Sequence, residues 1–305
     1  MPTTTRDLSL AALLVTVFLW ASAFVGIRDL GEDFSPGALS LGRLLVAAIA
    51  LTFIAWPKHE ALPRGNALRL IIIYGIIWFG AYNVCLNAGE RYLDAGTSAL
   101  VVNIGPILIA LFAGVFLKEG FPRPLLIGTG VAFAGVVLIA VSTDKDSSAV
   151  ATASTRGVVL CVAAAIFYAV GVLTQKPALK TTPAVQAVWL GCIVGVVVCL
   201  PYAPSLISEL QDASVRDILV MVYLGVFPTA IGFSTWSYAL KRLDAGKVAA
   251  TTYLVPAIAT LISWLVLDET PAALAFVGGA MCLIGVAITR LKRRQPEPEI
   301  VPTRP

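Results

Sequence analysis

The sequence predicts an all-α polytopic membrane protein: ten transmembrane helices arranged as two inverted five-helix repeats, with both termini cytoplasmic. Three observations predict this fold class. First, 58% of the 305 residues are hydrophobic and only 13% are charged, whereas soluble domains carry roughly 25% charged residues. Second, the chain divides into apolar stretches of membrane-spanning length. Third, the sequence YLDAGTSALVVNIGP at residues 92–106 is repeated in similar form 150 residues later, as RLDAGKVAATTYLVP at residues 242–256.

The apolar stretches define the predicted helices. About 20 apolar residues are enough for a helix to cross the roughly 30 Å hydrocarbon core. The predicted spans are 8–27, 36–56, 70–89, 95–117, 124–143, 157–175, 184–202, 218–240, 248–267 and 271–289. Transmembrane β-strands would be about ten residues long and would alternate polar with apolar residues, so these spans are helical. They leave no sizeable soluble domain.

The first span has a second interpretation. Arg6, the apolar run and the ASA triplet at residues 21–23 also fit a cleaved signal peptide. We favour a transmembrane helix, because this span has a counterpart that opens the second half of the chain.

Lys and Arg set the predicted orientation. With the N-terminus inside, the cytoplasmic segments hold 16 of these residues and the outer segments hold 5, and such a bias places both termini in the cytoplasm. The net charge of +4 therefore reflects contact with a lipid bilayer and not with nucleic acid. The basic tail, residues 291–305, lies where it can meet anionic lipid.

The repeat divides the chain into two units. A shift of 150 residues aligns 92–136 with 242–286 without a gap. The most informative identical pairs are Asp94/Asp244, Pro106/Pro256 and Glu119/Glu269. We assign repeats to 8–141 and 157–290, joined by a polar linker at 142–156. Five helices per repeat reverse the orientation of the second repeat, and the charge bias of its loops reverses as well. Inverted repeats typically give alternating access to a site at mid-membrane.

The paired prolines lie near the centres of the fourth and ninth spans. Each removes a helical hydrogen bond, freeing a carbonyl at Val102 or Thr252. Such defects persist in lipid where they are buried in protein or line a wet cavity. One proline alone is equally compatible with a packing kink, but two at matched positions favour a gating or cavity role for Pro106 and Pro256.

Four stretches together carry a resemblance to a known family: LWASAFVGI at 19–27, GRLLVAA at 42–48, LDAGTSALVVNIGPILIALFAGVFLKE at 93–119 and YLVPAIATLISWLVLDE at 253–269. In these stretches the chain resembles the drug/metabolite transporter superfamily, as a protein with two EamA-type domains. The resemblance implies ten helices around a central cavity and export of small metabolites, amino acids among them. The first repeat has NIGP where the second has YLVP, so the two halves of the cavity are expected to differ chemically.

Candidate substrate-binding residues are polar or aromatic side chains within the spans. Polar groups at lipid depth turn towards the protein interior, and aromatic rings beside amides suit an amphipathic ligand. The candidates are Trp20, Trp78, Tyr82, Asn83, Asn87, Asn103, Tyr168, Gln175, Thr235, Trp236 and Tyr253. The alternative for the polar members is hydrogen bonding between helices.

Arg43 is the charged residue within a span. It lies about two turns from the predicted outer face, roughly 10 Å at 1.5 Å per residue. It could extend to the interface, bind a substrate carboxylate or meet a helix-end carbonyl. We favour a structural or gating role slightly.

The sequence says less about energy coupling and other chemistry. The span interiors contain no Asp or Glu, the residues that usually carry protons at membrane depth. Glu90 and Asp94 lie near outer ends, while Glu119 and Glu269 cap helices, where pairing with basic loops is the simpler expectation. Uniport and coupling through peripheral groups both stay open. The five cysteines lie in spans as packing residues, and we find no metal spacing, cofactor motif or catalytic set.

Small-residue faces occur on the fifth and tenth spans. Gly128, Ala132 and Gly135 match Gly278, Cys282 and Gly285, and such faces permit close helix approach, either within the chain or in a homodimer. In total, we predict a secondary transporter of the plasma membrane, not an enzyme, that exports amino acids or related small molecules. The alternatives are uptake, transport of drugs, nucleobases or sugars, and a non-transporting membrane scaffold.

Overall fold

The computed structural model describes residues 5–55, 60–93, 95–143, 151–267, 273–289 and 291, and within these ranges every regular element is helical. This confirms the all-α class. The α-helices are α1 (Thr5–Asp29), α2 (Pro36–Ala55), α3 (Asn66–Tyr74), α4 (Asn83–Gly89), α5 (Ala95–Val102), α6 (Gly105–Phe116), α7 (Arg123–Thr143), α8 (Ala151–Ala178), α9 (Ala184–Cys199), α10 (Ala203–Asp212), α11 (Val215–Leu224), α12 (Phe233–Arg242), α13 (Ala245–Ala250), α14 (Leu254–Leu267) and α15 (Ala273–Thr289).

Six helical stretches among the described residues are long and apolar enough to cross a membrane. They are Asp7–Asp29, Pro36–Ala55, Asn66–Gly89, Thr155–Ala178, Ala184–Asp212 and Val215–Arg242. Gly105–Phe116 and Phe276–Thr289 are shorter apolar helices. The architecture is that of a polytopic membrane protein. The count of ten spans, the inverted orientation and the cytoplasmic termini stay predictions.

Two π-helical segments, not expected from the sequence, interrupt matched helices. The first, Gly75–Tyr82, joins α3 to α4, and the second, Gly225–Gly232, joins α11 to α12. They start 150 residues apart, which is the offset of the sequence repeat. Pro228 lies inside the second segment and donates no backbone hydrogen bond. A Cβ at Gly225 would lie 2.7 Å from the carbonyl oxygen of Arg43, so this segment brings its backbone against α2.

The two repeats interlock. Helix α1 packs against α12 and α14 of the second repeat, while α8 packs against α3, α4 and α6 of the first. The first π segment contacts α9, and the second contacts α2. Each repeat therefore supplies helices that fill the other, and residues from both surround the centre of the molecule.

The predicted fourth and ninth spans show two further features. Helix α5 ends at Val102 and α6 begins at Gly105, so the fourth span breaks directly before Pro106. In the ninth, a 3₁₀ turn at Thr251–Tyr253 separates α13 from α14, which contains Pro256. Both interruptions lie where the prolines remove a donor, and a gating role for them stays a prediction.

The small-residue faces of α7 and α15 pack against each other within the chain. A Cβ at Gly128 would lie 2.5 Å from the carbonyl oxygen of Gly285, and the Cys282 thiol donates to the Ala132 carbonyl at 3.4 Å. The homodimer stays a prediction, and it would need other surfaces. Helices α7 and α8 extend into the predicted linker, of which residues 144–150 lie outside the described ranges, as do Asp94, Glu269 and the basic tail beyond 291.

Candidate functional site

A cavity of about 60 Å³ lies at the centre, between the two repeats. Its walls come from α1, α2, the first π segment, α4 and α5 on one side, and from α8, α12, the 3₁₀ turn and α14 on the other. The lining residues are Trp20, Ala23, Phe24, Ile27, Arg43, Trp78, Tyr82, Asn83, Leu86, Val102, Asn103, Tyr168, Phe233, Thr252 and Val255. Six of the predicted substrate residues therefore line one cavity, together with Arg43.

Aromatic rings form a continuous wall. The ring centroid of Trp20 lies 5.1 Å from that of Phe233 and 4.9 Å from that of Trp236. Trp78 lies 5.1 Å from Tyr168 and meets Trp20 edge-on at 6.2 Å. Edge-to-face and tilted contacts at these distances are the favoured arrangements of aromatic pairs. Trp236 is buried behind Trp20 and does not line the cavity.

Two buried amides face the cavity. The side-chain nitrogen of Asn83 donates to the Phe79 carbonyl at 2.9 Å, satisfying an acceptor of the first π segment. The nitrogen of Asn103 donates to the Ala99 carbonyl at 2.7 Å, beside the break between α5 and α6. Its oxygen Oδ1 is buried and has no hydrogen-bond partner among the described residues. Asn103 thus presents an unused acceptor at the cavity.

Arg43 is only 4% exposed and is held by the second repeat. Its Nε and Nη2 atoms donate to the Thr229 hydroxyl at 3.1 and 3.0 Å, and that hydroxyl donates to the Leu224 carbonyl at 2.7 Å. The side chain therefore does not extend to the interface. A buried cation that lines a cavity at membrane depth is a functional candidate.

Three of the predicted polar residues instead make hydrogen bonds between helices. Gln175 donates to the Ser237 hydroxyl at 2.8 Å, and the Thr235 hydroxyl lies 2.8 Å from that of Thr16. Asn87 donates to the Ser40 hydroxyl at 3.0 Å. These contacts are the alternative that the sequence left open.

Tyr253 does not line the cavity either. It is fully buried, and its ring centroid lies 6.5 Å from that of Phe133 on α7. Its neighbour Thr252 takes the lining position. The 3₁₀ turn holds both residues, and it directs the side chain of Thr252 towards the cavity instead of that of Tyr253, which we selected.

The repeat could have identified lining residues that we missed. Phe233 is 150 residues after Asn83, and Thr252 is 150 residues after Val102; all four line the cavity. The 150-residue offset, applied to Asn83, would have pointed to Phe233.

Comparison with known proteins identifies the family. The sequence matches the EamA-like transporter family over residues 8–141 and 155–291. A probable terminal-alkyne amino-acid exporter of Streptantibioticus cattleyicolor is 36% identical over 277 residues, covering 91% of each chain. A probable amino-acid metabolite efflux pump of Salmonella typhimurium is 28% identical over 296 residues, covering 93% of this chain and 94% of that protein.

A solved crystal structure shares the fold. It superposes with a TM-score of 0.74 at 16% identity and covers 92% of this chain and 96% of that one. Together with the two matched segments and the apolar helices, these findings point to membrane transport and not to catalysis. The chain belongs to the EamA-like transporter family, within the drug/metabolite transporter superfamily.

Proposed function

We propose that the protein is a secondary transporter that exports amino acids or related amphipathic metabolites by alternating access at the central cavity. In this proposal ten helices cross the cytoplasmic membrane as two inverted repeats, with both termini in the cytoplasm. The family supports the transport mechanism. The names of the two relatives, an amino-acid exporter and an amino-acid metabolite efflux pump, support the substrate class.

One observation carries the substrate assignment: a buried cation, an unused amide oxygen and aromatic faces meet at one cavity. An arginine has five N–H donors, and Arg43 directs its Nε and Nη2 groups at Thr229. The remaining donors suit a substrate carboxylate. Asn103 Oδ1 and the ring faces of Trp20 and Trp78 suit an ammonium group. An amino acid carries both groups.

The apolar lining suits the substrate's side chain. Phe24, Ile27, Leu86 and Val255 contribute aliphatic or aromatic surface with no polar side-chain atom. Burial of such surface is favourable by about 25 cal/mol per Å². The combination selects a zwitterion with an apolar side chain.

The size of the cavity requires a conformational change. Ligand sites typically span roughly 300–1,000 Å³, well above the 60 Å³ of the cavity. Substrate entry therefore requires the cavity to widen, and in this proposal the two interlocked repeats move apart as alternating access needs.

Counterflow in proteoliposomes tests the proposal. Vesicles loaded with unlabelled amino acid should take up labelled amino acid, with aromatic and aliphatic substrates competing. Asn103→Ala should weaken counterflow, because it removes the unused acceptor. Thr174→Val is the control: it keeps the side-chain volume, Thr174 lies outside the cavity, and its hydroxyl donates to the Val170 and Gly171 carbonyls of its own helix.

Substrate analogues separate the groups that are recognised. An amine that lacks the carboxylate and an N-acetylated amino acid should each compete poorly with the labelled substrate. If both analogues compete as well as the parent amino acid, or if no amino acid shows counterflow, the amino-acid assignment is wrong. Sugars, nucleobases and lipophilic cations are then the next substrates.

A further inference from the structure

A second cavity, here called the chamber, adjoins the central cavity. It has a volume of about 670 Å³ and lies between the C-terminal ends of α1 and α4 and the start of α2. Ile27 lines both the chamber and the central cavity. Asn83 and Leu86 line the central cavity, while Asn87 and Glu90, one turn further along the same stretch, line the chamber. The two spaces are thus separated by about one helical turn.

Glu90 is the residue of interest at this boundary. Its backbone N–H donates to the Leu86 carbonyl at 3.0 Å, continuing the turn of α4. Both carboxylate oxygens are buried, and no described residue gives either of them a hydrogen bond. An ionised carboxylate is costly in such a place, whereas the protonated form loses far less on leaving water. The geometry therefore favours a carboxyl that takes up a proton.

Several charged or titratable groups face Glu90. Arg28 of α1 and Arg43 of α2 favour its ionised form, while Tyr82 of the first π segment and Cys161 of α8 lie close enough to interact electrostatically. The chamber also contains Glu32, Arg91 and Tyr92. Burial is the dominant effect and raises the pKa of Glu90 well above its ordinary value, with Arg43 and then Arg28 opposing it.

We propose that Glu90 is a proton-binding site linked to the substrate site through Arg43. This inference rests on the proposed function for the identity of the substrate. Arg43 and Leu86 line the central cavity, and Glu90 lies one helical turn beyond Leu86. At this separation the positive charge of Arg43 favours the ionised form of the Glu90 carboxyl. A substrate carboxylate bound at Arg43 neutralises the charge that favours ionised Glu90. Glu90 then holds its proton more tightly, so substrate binding takes up a proton.

The linkage is reciprocal by thermodynamic necessity. When Glu90 is ionised, its charge competes with the substrate carboxylate for Arg43. When Glu90 is protonated, that competition ends and substrate binds more tightly. The site would thereby make substrate affinity depend on pH; because proton and substrate favour each other's binding, it does not by itself exchange a proton for an exported substrate.

Calorimetry of substrate binding in buffers of different ionisation enthalpy measures the linked proton directly. The wild-type protein should take up protons on binding an amino acid found by counterflow, and its affinity should fall as the pH rises. Glu90→Gln keeps the shape and removes the titration, so proton uptake and pH dependence should both be lost while counterflow persists. Glu32→Gln, an exposed carboxyl of the same chamber, should behave as the wild type.

A wild-type protein that binds substrate without proton uptake would overturn the proposal, as would a Glu90→Gln variant that retains the uptake. A second measurement needs no substrate: the unfolding temperature of the wild type relative to Glu90→Gln, followed against pH. A constant difference would show that Glu90 does not titrate as proposed, even if amino-acid counterflow fails. If amino-acid counterflow is absent but the difference in unfolding temperature depends on pH, the substrate assignment is overturned and the proton-binding site at Glu90 stands.

Discussion

Replacement of a single glycine tests the packing of α7 against α15. A Cβ added at Gly135 would lie 2.5 Å from the carbonyl oxygen of Gly278 and 2.9 Å from the backbone nitrogen of Cys282. These are backbone atoms of the facing helix, so the two helices must separate to accept Gly135→Ala. In lipid, close van der Waals packing is a principal force between helices, and its loss falls directly on stability.

The matched control lies on the same helix. A Cβ at Gly130 would meet nothing within 4 Å. Replacement of a helical glycine by alanine stabilises a helix by up to about 1 kcal/mol, whereas overpacking costs about 1–3 kcal/mol. Both variants share the first effect, and only Gly135→Ala has the second. The two variants should therefore differ in unfolding free energy by about 1–3 kcal/mol.

Thermal unfolding in detergent measures this difference. Domains of 150–250 residues shift by about 2–4 °C per kcal/mol, so Gly135→Ala should unfold roughly 2–12 °C below Gly130→Ala. A thiol-reactive dye reports the transition, because Cys161, Cys192 and Cys282 are buried in the folded protein. Equal unfolding temperatures would refute the reasoning.

Three further predictions concern the charged groups. Thr229→Val removes the hydroxyl that accepts hydrogen bonds from Arg43, so a buried cation loses a partner. The unfolding free energy should fall by about 1–3 kcal/mol, and amino-acid counterflow should fall as well. Burial raises the pKa of Glu90, so the folded protein keeps a proton that the unfolded chain releases. The stability of the wild type should therefore fall as the pH rises from the ordinary carboxyl pKa to the raised one. A wild-type unfolding temperature that does not fall relative to that of Glu90→Gln over this range would contradict the prediction. The Glu119 carboxylate accepts hydrogen bonds from the backbone N–H groups of Ala245 and Gly246 at 2.8 and 3.2 Å. By analogy with a helix cap, Glu119→Ala should lower the unfolding free energy by about 0.5–2 kcal/mol. An unchanged melting curve would argue against this capping role.

Much of the fold was predictable because bilayer thickness and hydropathy determine it locally. The apolar helices and the break before Pro106 follow from residue types within a short window, and the repeat follows from comparison of the two halves of the sequence. The π segments do not, because a turn with i→i+5 hydrogen bonds depends on contacts from other helices. Gly225, for example, fits closely against the carbonyl of Arg43, and no local pattern around Gly225 reveals that neighbour.

The residues that line the cavity were only partly predictable, because the candidates were chosen as polar or aromatic residues within the spans and not by the direction in which each side chain points. Beyond the second π segment, the sequence selected Thr235 and Trp236, whereas Phe233 lines the cavity. Polar residues such as Thr235 and Gln175 were ambiguous for a different reason: a hydrogen bond to another helix satisfies them as well as a ligand would.

The burial of the Glu90 carboxyl could not be predicted from the residues around it in the sequence. In the sequence it follows the third span and lies next to Arg91 and Tyr92, a context typical of a solvated loop. It lines the chamber together with residues of α1 and α2, which are far away along the chain. The acid missing from every span interior is thus present beside the cavity through tertiary packing.

The two repeats contribute unequally to the cavity, and this asymmetry has a consequence for the substrate. Asn83 of the first repeat and Phe233, which lies 150 residues later, both line the cavity. The first repeat supplies both amides and Arg43, whereas the second supplies mainly aromatic and aliphatic surface and two hydroxyls, those of Tyr168 and Thr252. A symmetric pair of repeats provides the alternating motion, but it would bind a ligand equally well in two opposite poses. For the zwitterion with an apolar side chain that we propose as substrate, the charged and amide groups on one wall favour one pose, and the proposed alternating access does not require that pose to change.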